Sequence, residues 1–382
     1  MLQQPKSAEE VQAIVAAGGR IEVVGGGTKR GLDPVRDPDV VLSLAALNRV
    51  VDYAPEELVL TAQPGVTLAA LEKLVAKHGQ MLPFEPPHFT KLLGSKGKPT
   101  LGGAVAANLS GPRRIKAGAA RDHVLGFAGV SGRGEVFKAG GKVVKNVTGY
   151  DLSKLMAGSW GTLAVMTEIT LKVLPAARTE VTMMFFGLDD RRAAEAMGKA
   201  LGSACDVSGA AHLPTSAAQR PPLSTDLPVT ALRLEGFAAS VAARAEALVR
   251  LLQGFGPMQQ LDPGHSREFW SQVREVEAFV GDPRPLWRIS VPPAGGWRVP
   301  VAVVGDVLYD WGGALVWLLS DAPPAQVRAA VKALGGHATL YRGDAAAAFE
   351  PLDGALAALT RRVKQAFDPN EVLNPGRLIG AA

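Results

Sequence analysis

The chain has 382 residues, of which 47% are hydrophobic and 20% are charged, with a formal net charge of +5. This is the composition of an ordinary globular protein, and the length predicts two domains. No block of five like charges occurs, so nucleic acid is not an expected partner. The small basic excess could favour an anionic substrate, a phosphate-bearing cofactor, an acidic partner or a membrane surface. It could also reflect a mildly basic surface with no specific partner.

Cysteine content and hydropathy narrow the class of protein further. Cys205 is the only cysteine, which excludes an internal disulfide, a thiolate zinc site and a Cys-ligated iron–sulfur cluster within this chain. The first residues lack the apolar core of a signal peptide, and Ser7 with Glu10 predicts a helix-capping box instead. The hydrophobic stretch 299–319 contains two aspartates and is not expected to span a membrane. We therefore expect a cytoplasmic protein with at most peripheral membrane association.

The first part of the chain alternates predicted helices and strands. In chain order the pattern predicts a helix over 7–17, strands over 20–24, 40–44 and 58–62, a helix over 67–78 with Thr67 as its N-cap, a helix over 152–157 capped by Asp151, and a strand over 163–174. The last strand shows period-two alternation. Residues 80–100 are rich in Pro, Gly and Lys, which predicts a flap, an insertion or a mobile edge, with a solvated basic loop favoured over a docking element.

The second part of the chain changes to strand–helix pairs. These are predicted over 180–188 with 191–200, 229–236 with 239–252, and 313–319 with 325–334, and a final helix is predicted over 353–367. Such pairs favour an α+β sandwich with helices on one face of a sheet. Residues 201–228 are predicted to be a surface loop or disordered. We place domains at 1–175, 176–345 and 346–382.

Two glycine-rich segments suggest close contact with a large ligand. Gly102 and Gly103 precede an Ala-rich run, and Gly111 precedes Pro-Arg-Arg, so the backbone there can approach a planar or phosphorylated ligand. The run GGGTKRG at 25–31 is not a Rossmann fingerprint, because prolines follow where the helix interior is required. Successive N–H groups of a glycine loop can bind phosphate without a helix, although the run alone could be a simple turn.

The motifs GPRRIKAGAARDHVLG and KNVTGYDLSKLMAGSWGTL, with IEVVGGGTKRGL near the start and FDPNEVLNPGRL near the end, carry a family resemblance. The chain resembles the FAD-binding domain of the vanillyl-alcohol oxidase and p-cresol methylhydroxylase (PCMH) type and, within that superfamily, the FAD-binding E subunits of bacterial glycolate oxidase. The resemblance implies an α+β fold: a PCMH-type FAD-binding domain, a smaller ferredoxin-like α+β cap, and a C-terminal tail that returns to the FAD domain.

The resemblance also implies the cofactor and its contacts. It implies FAD bound non-covalently, because the glycine loop holds no histidine, although His88 or His123 could substitute as a tether. The implied cofactor contacts are Gly25, Gly26, Gly27, Thr28, Lys29, Arg30, Pro83, Thr100, Gly102, Gly103, Asn108, Gly111, Arg113, Arg121, Gly158, Gly161, Thr162, Val165 and Arg377. Arg113 and Arg121 could instead be solvated or paired with Asp122 or Glu135. Further residues that could line the ring or its entry are Lys145, Asn146, Thr148 and Tyr150.

The implied function is oxidation of a 2-hydroxy acid, glycolate to glyoxylate, by hydride transfer to flavin. The implied partners are a larger FAD subunit and an iron–sulfur subunit. Such a reaction needs an arginine for the carboxylate and a base for the hydroxyl proton. The candidate arginines are Arg288, Arg298 and Arg342. His212, His265 and His337 lack metal-ligand spacing, so no metal and no catalytic residue is assigned. Three alternatives remain: independent catalysis, an electron-relaying or scaffolding subunit, and loss of the cofactor.

Overall fold

A computed structural model describes residues 1–141, 150–221, 223–344 and 347–378. Lys145, Asn146 and Thr148, predicted near the cofactor, lie outside the described residues. The strands of the described residues, β1 to β18, are Leu2–Gln3, Ile21–Val24, Val40–Ser43, Val50–Ala54, Val59–Ala62, Gln80–Met81, Val124–Ser131, Val136–Gly140, Ala164–Lys172, Leu174–Pro175, Thr179–Phe186, Gly209–Leu213, Val229–Gly236, Gln259–Leu261, Leu286–Ser290, Asp306–Asp310, Leu315–Leu319 and His337–Arg342.

The α-helices of the same residues, α1 to α13, are Ala8–Ala16, Leu68–Ala76, Leu101–Ala106, Arg114–Ala117, Ala120–His123, Leu152–Met156, Asp190–Leu201, Thr215–Ala218, Ala238–Leu252, Pro263–Glu275, Val299–Ala302, Pro324–Ala333 and Gly354–Phe367. None of the helices in the described residues is both long enough and apolar enough to cross a membrane. Predicted capping is confirmed at Ser7, Thr67 and Asp151, whose side chains accept backbone N–H hydrogen bonds at the starts of α1, α2 and α6.

The N-terminal layers consist of two main sheets. Strands β1, β3 and β2 form a parallel three-stranded sheet, and an antiparallel sheet has the order β4-β5-β9-β7-β8. The central strand β9 is mostly buried on both faces: Val165 packs with Val11 and Leu42, whereas Met166 and Ile169 belong to a second core. The predicted strand is therefore confirmed, and layers cover both of its sides.

The second part of the chain forms one antiparallel sheet of eight strands, in the order β14-β11-β13-β12-β16-β17-β15-β18. Helices α7 and α9 pack on one face over β11 and β13, and α12 packs on the same face over β15 and β18. The other face turns toward the N-terminal layers and carries Met184 and Trp317. The predicted α+β class is therefore confirmed, but the helices are not restricted to one face, because Phe269 and Trp270 of α10 pack on the face that carries Met184 and Trp317.

The segment 80–100 is largely packed over residues 80–92, which corrects the prediction of a flap or mobile edge there, whereas Lys91, Lys96 and Lys98 are exposed as a solvated basic loop would have them. Phe89 and Leu92 are 3% and 1% exposed, and the Phe89 ring lies edge-on to Trp317 and Tyr341 at centroid distances of 5.4 and 5.9 Å. The surrounding Pro, Gly and Lys residues are typical of exposed loops, so the sequence did not indicate that these two side chains are buried. The segment joins the N-terminal layers to the face of the eight-stranded sheet.

Two other predictions of irregular chain were wrong. Residues 201–228 include β12, which lies inside the sheet between β13 and β16. Gly209 allows close packing there, because a Cβ would lie 3.0 Å from the Trp270 ring. Gly102 and Gly103 lie in the first turn of α3, not in a loop, and the Thr100 hydroxyl accepts a hydrogen bond from the Gly103 N–H at 3.3 Å. The small residues of these two segments allow close packing in a strand or a helix but give no periodic hydrophobic pattern. The sequence therefore did not predict either element.

The C-terminal tail returns to the N-terminal layers, as the resemblance implies. Lys364 Nζ on α13 is buried and donates to the carbonyl oxygens of Thr162 and Leu373 at 2.7 and 2.8 Å, and to Asp368 Oδ2 at 2.5 Å. Asn374 accepts a hydrogen bond from the Val23 N–H at 2.9 Å. These contacts bring the residues after Asn374 beside the glycine loop that follows β2.

Candidate functional site

A cavity of about 740 Å³, measured with its open mouth, lies between the glycine loop after β2, the start of α3 and the turn at Trp160 and Gly161. The structure brings eleven of the predicted cofactor contacts together around it. They are Gly25, Gly26, Gly27, Thr28, Lys29, Arg30, Thr100, Gly102, Gly103, Gly161 and Arg377. Residues distant in sequence therefore converge on one site.

The glycine loop packs against a neighbouring backbone segment. A Cβ at Gly26 would lie 1.6 Å from the Lys98 carbonyl oxygen, and a Cβ at Gly97 would lie 1.8 Å from the Gly26 carbonyl oxygen. Gly27 has a φ of +75°, a conformation that favours glycine. The two backbones approach each other so closely that side chains are excluded at both contact points.

Two cations at the cavity have no carboxylate partner among the described residues. Lys29 Nζ donates a hydrogen bond to Thr28 Oγ1 at 3.2 Å, and desolvation lowers the pKa of Lys29 to about 8. Arg377 is 8% exposed and donates from Nε to the Asp33 carbonyl oxygen at 3.0 Å. Its Nη2 is buried without a hydrogen-bond partner in the described part of the chain. A buried donor without a partner indicates that a ligand completes the site.

The donor set fits the pyrophosphate of a dinucleotide cofactor. Glycine-loop N–H groups, Lys29 and the free Nη2 of Arg377 supply the backbone and cationic donors that phosphate oxygens accept. Val23, Ala106 and Met166 give the same cavity apolar walls, which suit planar rings. Arg30 is differently engaged, because its Nε and Nη2 donate to both carboxylate oxygens of Glu22 at 2.5 to 3.0 Å.

Eight predicted contacts do not line this cavity. They are Pro83, Asn108, Gly111, Arg113, Arg121, Gly158, Thr162 and Val165. Arg121 is exposed, with Nε 3.8 Å from Asp122 Oδ1, so the alternative of a solvated or Asp122-paired residue describes it. His88 and His123, considered as covalent tethers, also lie outside the lining; His123 is buried against Phe84 and its Nε2 lies 2.8 Å from the Ala117 carbonyl oxygen.

Arg113 belongs to a buried ionic network between the N-terminal layers and the eight-stranded sheet. Its guanidinium lies 2.8 Å from Glu85, 2.7 Å from Glu235 and 3.7 Å from Glu180. Arg233, which is fully buried, donates to both oxygens of Glu85 at 3.1 Å. The Arg113 guanidinium thus contacts carboxylates and does not line the cavity, where a cofactor contact was expected for it.

This ionic network shifts the pKa values of its carboxyl groups in opposite directions. Burial opposes ionisation of Glu235, but Arg233 and Arg113 outweigh it and lower the pKa to about 2. At Glu85, too, Arg233 and Arg113 outweigh burial and lower the pKa. Burial dominates at Glu180, whose pKa is raised, and at Asp310, whose pKa is raised to about 7. The interface between the layers thus combines carboxyl groups whose ionised form is stabilised by arginines with carboxyl groups whose ionisation is opposed by burial.

The candidate substrate residues are dispersed. Arg342 donates to the carbonyl oxygen of Leu92 at 2.9 Å, and Arg298 is exposed over the Trp297 ring. His212 is buried at 2.8 Å from Thr230 Oγ1, and His265 is exposed beside Asp262. Arg288 and His337 line a second cleft. No group of three potential metal ligands occurs within the described ranges.

Sequence reasoning missed several residues of the cavity. Trp160 was not assigned to the site, yet it lines both the cavity and the second cleft, with a φ of +52°. Pro64, whose Cβ would lie 2.6 Å from a Cβ at Gly102, also lines the cavity. The glycines on both sides of Trp160 signalled the turn, but nothing in the sequence indicated where the ring lies.

Comparison with known proteins identifies the class of this site. Residues 1–140 match the family described as FAD binding domain. The chain is 38% identical over 332 residues to "Glycolate oxidase subunit GlcE" of Escherichia coli (strain K12), covering 86% of this chain and 84% of that protein. It is 35% identical over 195 residues to "D-lactate dehydrogenase" of Anaerostipes hadrus, which covers only 38% of that protein. The family match confirms the predicted cofactor, FAD.

Solved structures support the fold. The 4-ethylphenol oxidase from Gulosibacter chungangensis superposes with a TM-score of 0.73 at 16% identity, covering 100% of this chain and 89% of that one. The structure of p-cresol methylhydroxylase gives a TM-score of 0.71 at 15% identity, covering 99% and 88%. The predicted PCMH-type fold is therefore confirmed.

Proposed function

Because the chain belongs to the family of the glycolate oxidase subunit GlcE, we propose that it is an FAD-binding subunit of a complex that oxidises 2-hydroxy acids, with glycolate as a substrate. The observation that carries this proposal is the cavity, in which glycine-loop backbone, Lys29 and the partnerless Nη2 of Arg377 converge. We propose that these groups hold the FAD pyrophosphate and that the cofactor is bound non-covalently.

The residues of this chain would bind and orient the reactants. FAD, when bound, supplies the hydride acceptor for oxidation of the hydroxyl carbon. Lys29 and Arg377 would neutralise phosphate charge, and Arg377 would be held in place by its hydrogen bond to the Asp33 carbonyl oxygen. Trp160, shared by the cavity and the second cleft, would separate the cofactor from solvent.

In a second candidate function, this chain binds FAD but a partner chain carries the substrate chemistry. The relative of 38% identity is named as a subunit, which supports a role in an assembly, as an electron-relaying or scaffolding chain. We propose partner chains of two kinds, a larger FAD subunit and an iron–sulfur subunit, and a cytoplasmic location with at most peripheral membrane association. The division into domains at 1–175, 176–345 and 346–382 belongs to the same proposal, as do the eleven predicted cofactor contacts that line the cavity.

The decisive experiment uses the purified chain and anaerobic spectroscopy. Its visible spectrum should show bound flavin, and glycolate or D-lactate added without oxygen should bleach it if the chain turns over substrate alone. A yellow protein that neither acid bleaches would support the relay or scaffold function instead. A colourless protein that takes up no added FAD would refute the proposed cofactor site.

A variant pair tests the pyrophosphate contacts directly. Lys29→Met should weaken FAD retention about 10- to 100-fold, because a hydrogen bond to a charged group contributes about 1.5–3 kcal/mol. Lys73→Met, at an exposed lysine of α2, is the matched control and should retain FAD like the unmodified chain. Equal FAD affinity of the two variants, measured by fluorescence titration of the apoprotein, would remove Lys29 from the site.

A further inference from the structure

A second cleft lies beside the cofactor cavity, at the inner face of the eight-stranded sheet. Trp160 lines both spaces, and Ala106 and Ala107, neighbours in sequence, line one each. From the eight-stranded sheet, Arg288 of β15 and Tyr341 of β18 contribute to the lining. A ligand in this cleft would therefore be close to a ring bound at the Trp160 side of the cavity.

Arg288 is placed to bind an anion there. It pairs across strands with Trp317, so both side chains leave the sheet on the face turned to the N-terminal layers. Its guanidinium carbon lies 5.1 Å from the centroid of the Trp311 ring, and that of Arg114 lies 4.3 Å from the same centroid. Neither guanidinium makes a hydrogen bond or ion pair with any other side chain among the described residues, whereas the guanidinium groups of Arg113 and Arg233 are paired with carboxylates.

The electrostatic surroundings of Arg288 favour a negative ligand. Desolvation, and then the charge of Arg288, lowers the pKa of Arg114, and this lowering outweighs the opposing effect of Asp122, as expected where two cations lie near each other. The acidic residues that line the cleft already have partners. Glu350 accepts a hydrogen bond from the Ala338 N–H at 2.8 Å, and Asp353 pairs with Lys332 at 3.0 Å.

The part of the cleft wall that lies beside the cofactor cavity is aromatic. Trp160 and Phe349 meet edge to face with ring centroids 5.0 Å apart, and both line the cleft. Phe349 is held near the glycine loop because its N–H and that of Ala348 donate to the Asp33 carboxylate at 3.4 and 2.6 Å. A guanidinium opposite an aromatic wall suits a ligand with one anionic and one apolar end.

We propose that Arg288 binds the carboxylate of an organic acid in this cleft, and that the apolar part of the acid packs against Trp160 and Phe349. The identification of that acid as the 2-hydroxy acid to be oxidised rests on the proposed function; the anion site itself does not. The proposal narrows the preferred acids to those that carry an apolar side chain, in preference to glycolate.

Binding of unreactive acids to the flavin-loaded chain tests this site. Acetate, pentanoate and sulfate are titrated, with the flavin absorbance and the tryptophan fluorescence as readouts. Pentanoate should bind at least tenfold more tightly than acetate, because each buried methylene contributes about a three- to fourfold gain. Arg288→Gln should weaken pentanoate binding about 10- to 100-fold, and Arg288→Lys should fall between, since it keeps the charge but loses the planar fork.

The matched control is Arg298→Gln, which removes an arginine that lies over a tryptophan ring outside the cleft and should leave pentanoate binding unchanged. All variants should keep the flavin content of the unmodified chain. Pentanoate affinity equal in Arg288→Gln and the unmodified chain, acetate bound as tightly as pentanoate, or sulfate bound as tightly as either acid would overturn the proposal.

Failure of the proposed function gives a different result from failure of this site. If pentanoate binds through Arg288 but no hydroxy acid bleaches the flavin, independent turnover is refuted and the anion site stands. If glycolate or 2-hydroxypentanoate bleaches the flavin equally well in Arg288→Gln, the anion site is refuted and the oxidoreductase function stands.

Discussion

Replacing Arg233 by methionine should strongly destabilise the protein, because it leaves two carboxylates buried beside one remaining cation. Arg233 is fully buried, donates to both oxygens of Glu85 at 3.1 Å, lies 3.5 Å from Glu235 and stacks over Trp270 at 4.6 Å. Removal of one partner from a buried ion pair costs about 3–5 kcal/mol. Arg113, 2.8 Å from Glu85, remains as a partner, so we expect about 3 kcal/mol.

Urea unfolding of the flavin-loaded chain at several pH values measures this effect and its sign. In the unmodified chain the pKa of Glu85 is lowered, so its stabilising contribution is present at neutral pH and is lost as pH falls through that lowered pKa. Arg233→Met should raise the pKa of Glu85, so the deficit should be largest at pH 7 and shrink toward pH 5. The second substitution Glu85→Gln should restore part of the stability of Arg233→Met.

The control for Arg233→Met is Arg191→Met, in an exposed i,i+4 pair with Glu195 at 3.2 Å. Such a pair contributes about 0.3–0.5 kcal/mol. A deficit below about 1 kcal/mol for Arg233→Met, or one that does not change between pH 5 and pH 7, would refute the assignment of an ionic link between the layers.

Two further predictions concern the glycine loop and the buried acid. Gly26→Ala should lower FAD retention at least tenfold, because its Cβ would lie 1.6 Å from the Lys98 carbonyl oxygen, whereas Gly31→Ala has open space and should retain FAD; equal flavin content would contradict this. Burial raises the pKa of Asp310 to about 7, so its contribution is present below its unfolded pKa and is lost as pH rises through 7. The free energy of unfolding should fall by about 2–3 kcal/mol, relative to Asp310→Asn, between pH 5 and pH 7; parallel urea curves would argue against it.

Local signals in the sequence were enough for the elements that carry strong hydrophobic periodicity or caps. The predicted strand 229–236 has the same bounds as β13, and Thr67 caps α2 as expected. β12 was missed because it begins with Gly209 and two alanines, which give no hydrophobic contrast. The burial of such small residues is decided by the strands on either side, which no local pattern reveals.

Some residues of the candidate site could likewise be predicted from the sequence, and others could not. Backbone contacts of the glycine loop were predictable, because GGGTKRG requires a close approach wherever it packs. The role of Arg113 was not, since its carboxylate partner Glu235 lies 122 positions away in sequence. Arg288 could not be chosen over Arg298 or Arg342 until the structure showed which guanidinium lines the cleft without a partner.

Trp311 connects the buried ionic network to the proposed anion site. Its backbone N–H donates to Asp310 Oδ1 at 2.7 Å, and its indole Nε1 donates to the Gly111 carbonyl oxygen at 2.9 Å. Its ring supports the guanidinium groups of Arg114 and Arg288. One side chain thus joins the eight-stranded sheet, the N-terminal layers and the cleft arginines. Because the backbone N–H and the indole Nε1 of Trp311 are both hydrogen bonded, the position of the ring is fixed. The arginines that stack on it therefore lose little further freedom when an anion binds, and this preorganisation favours affinity.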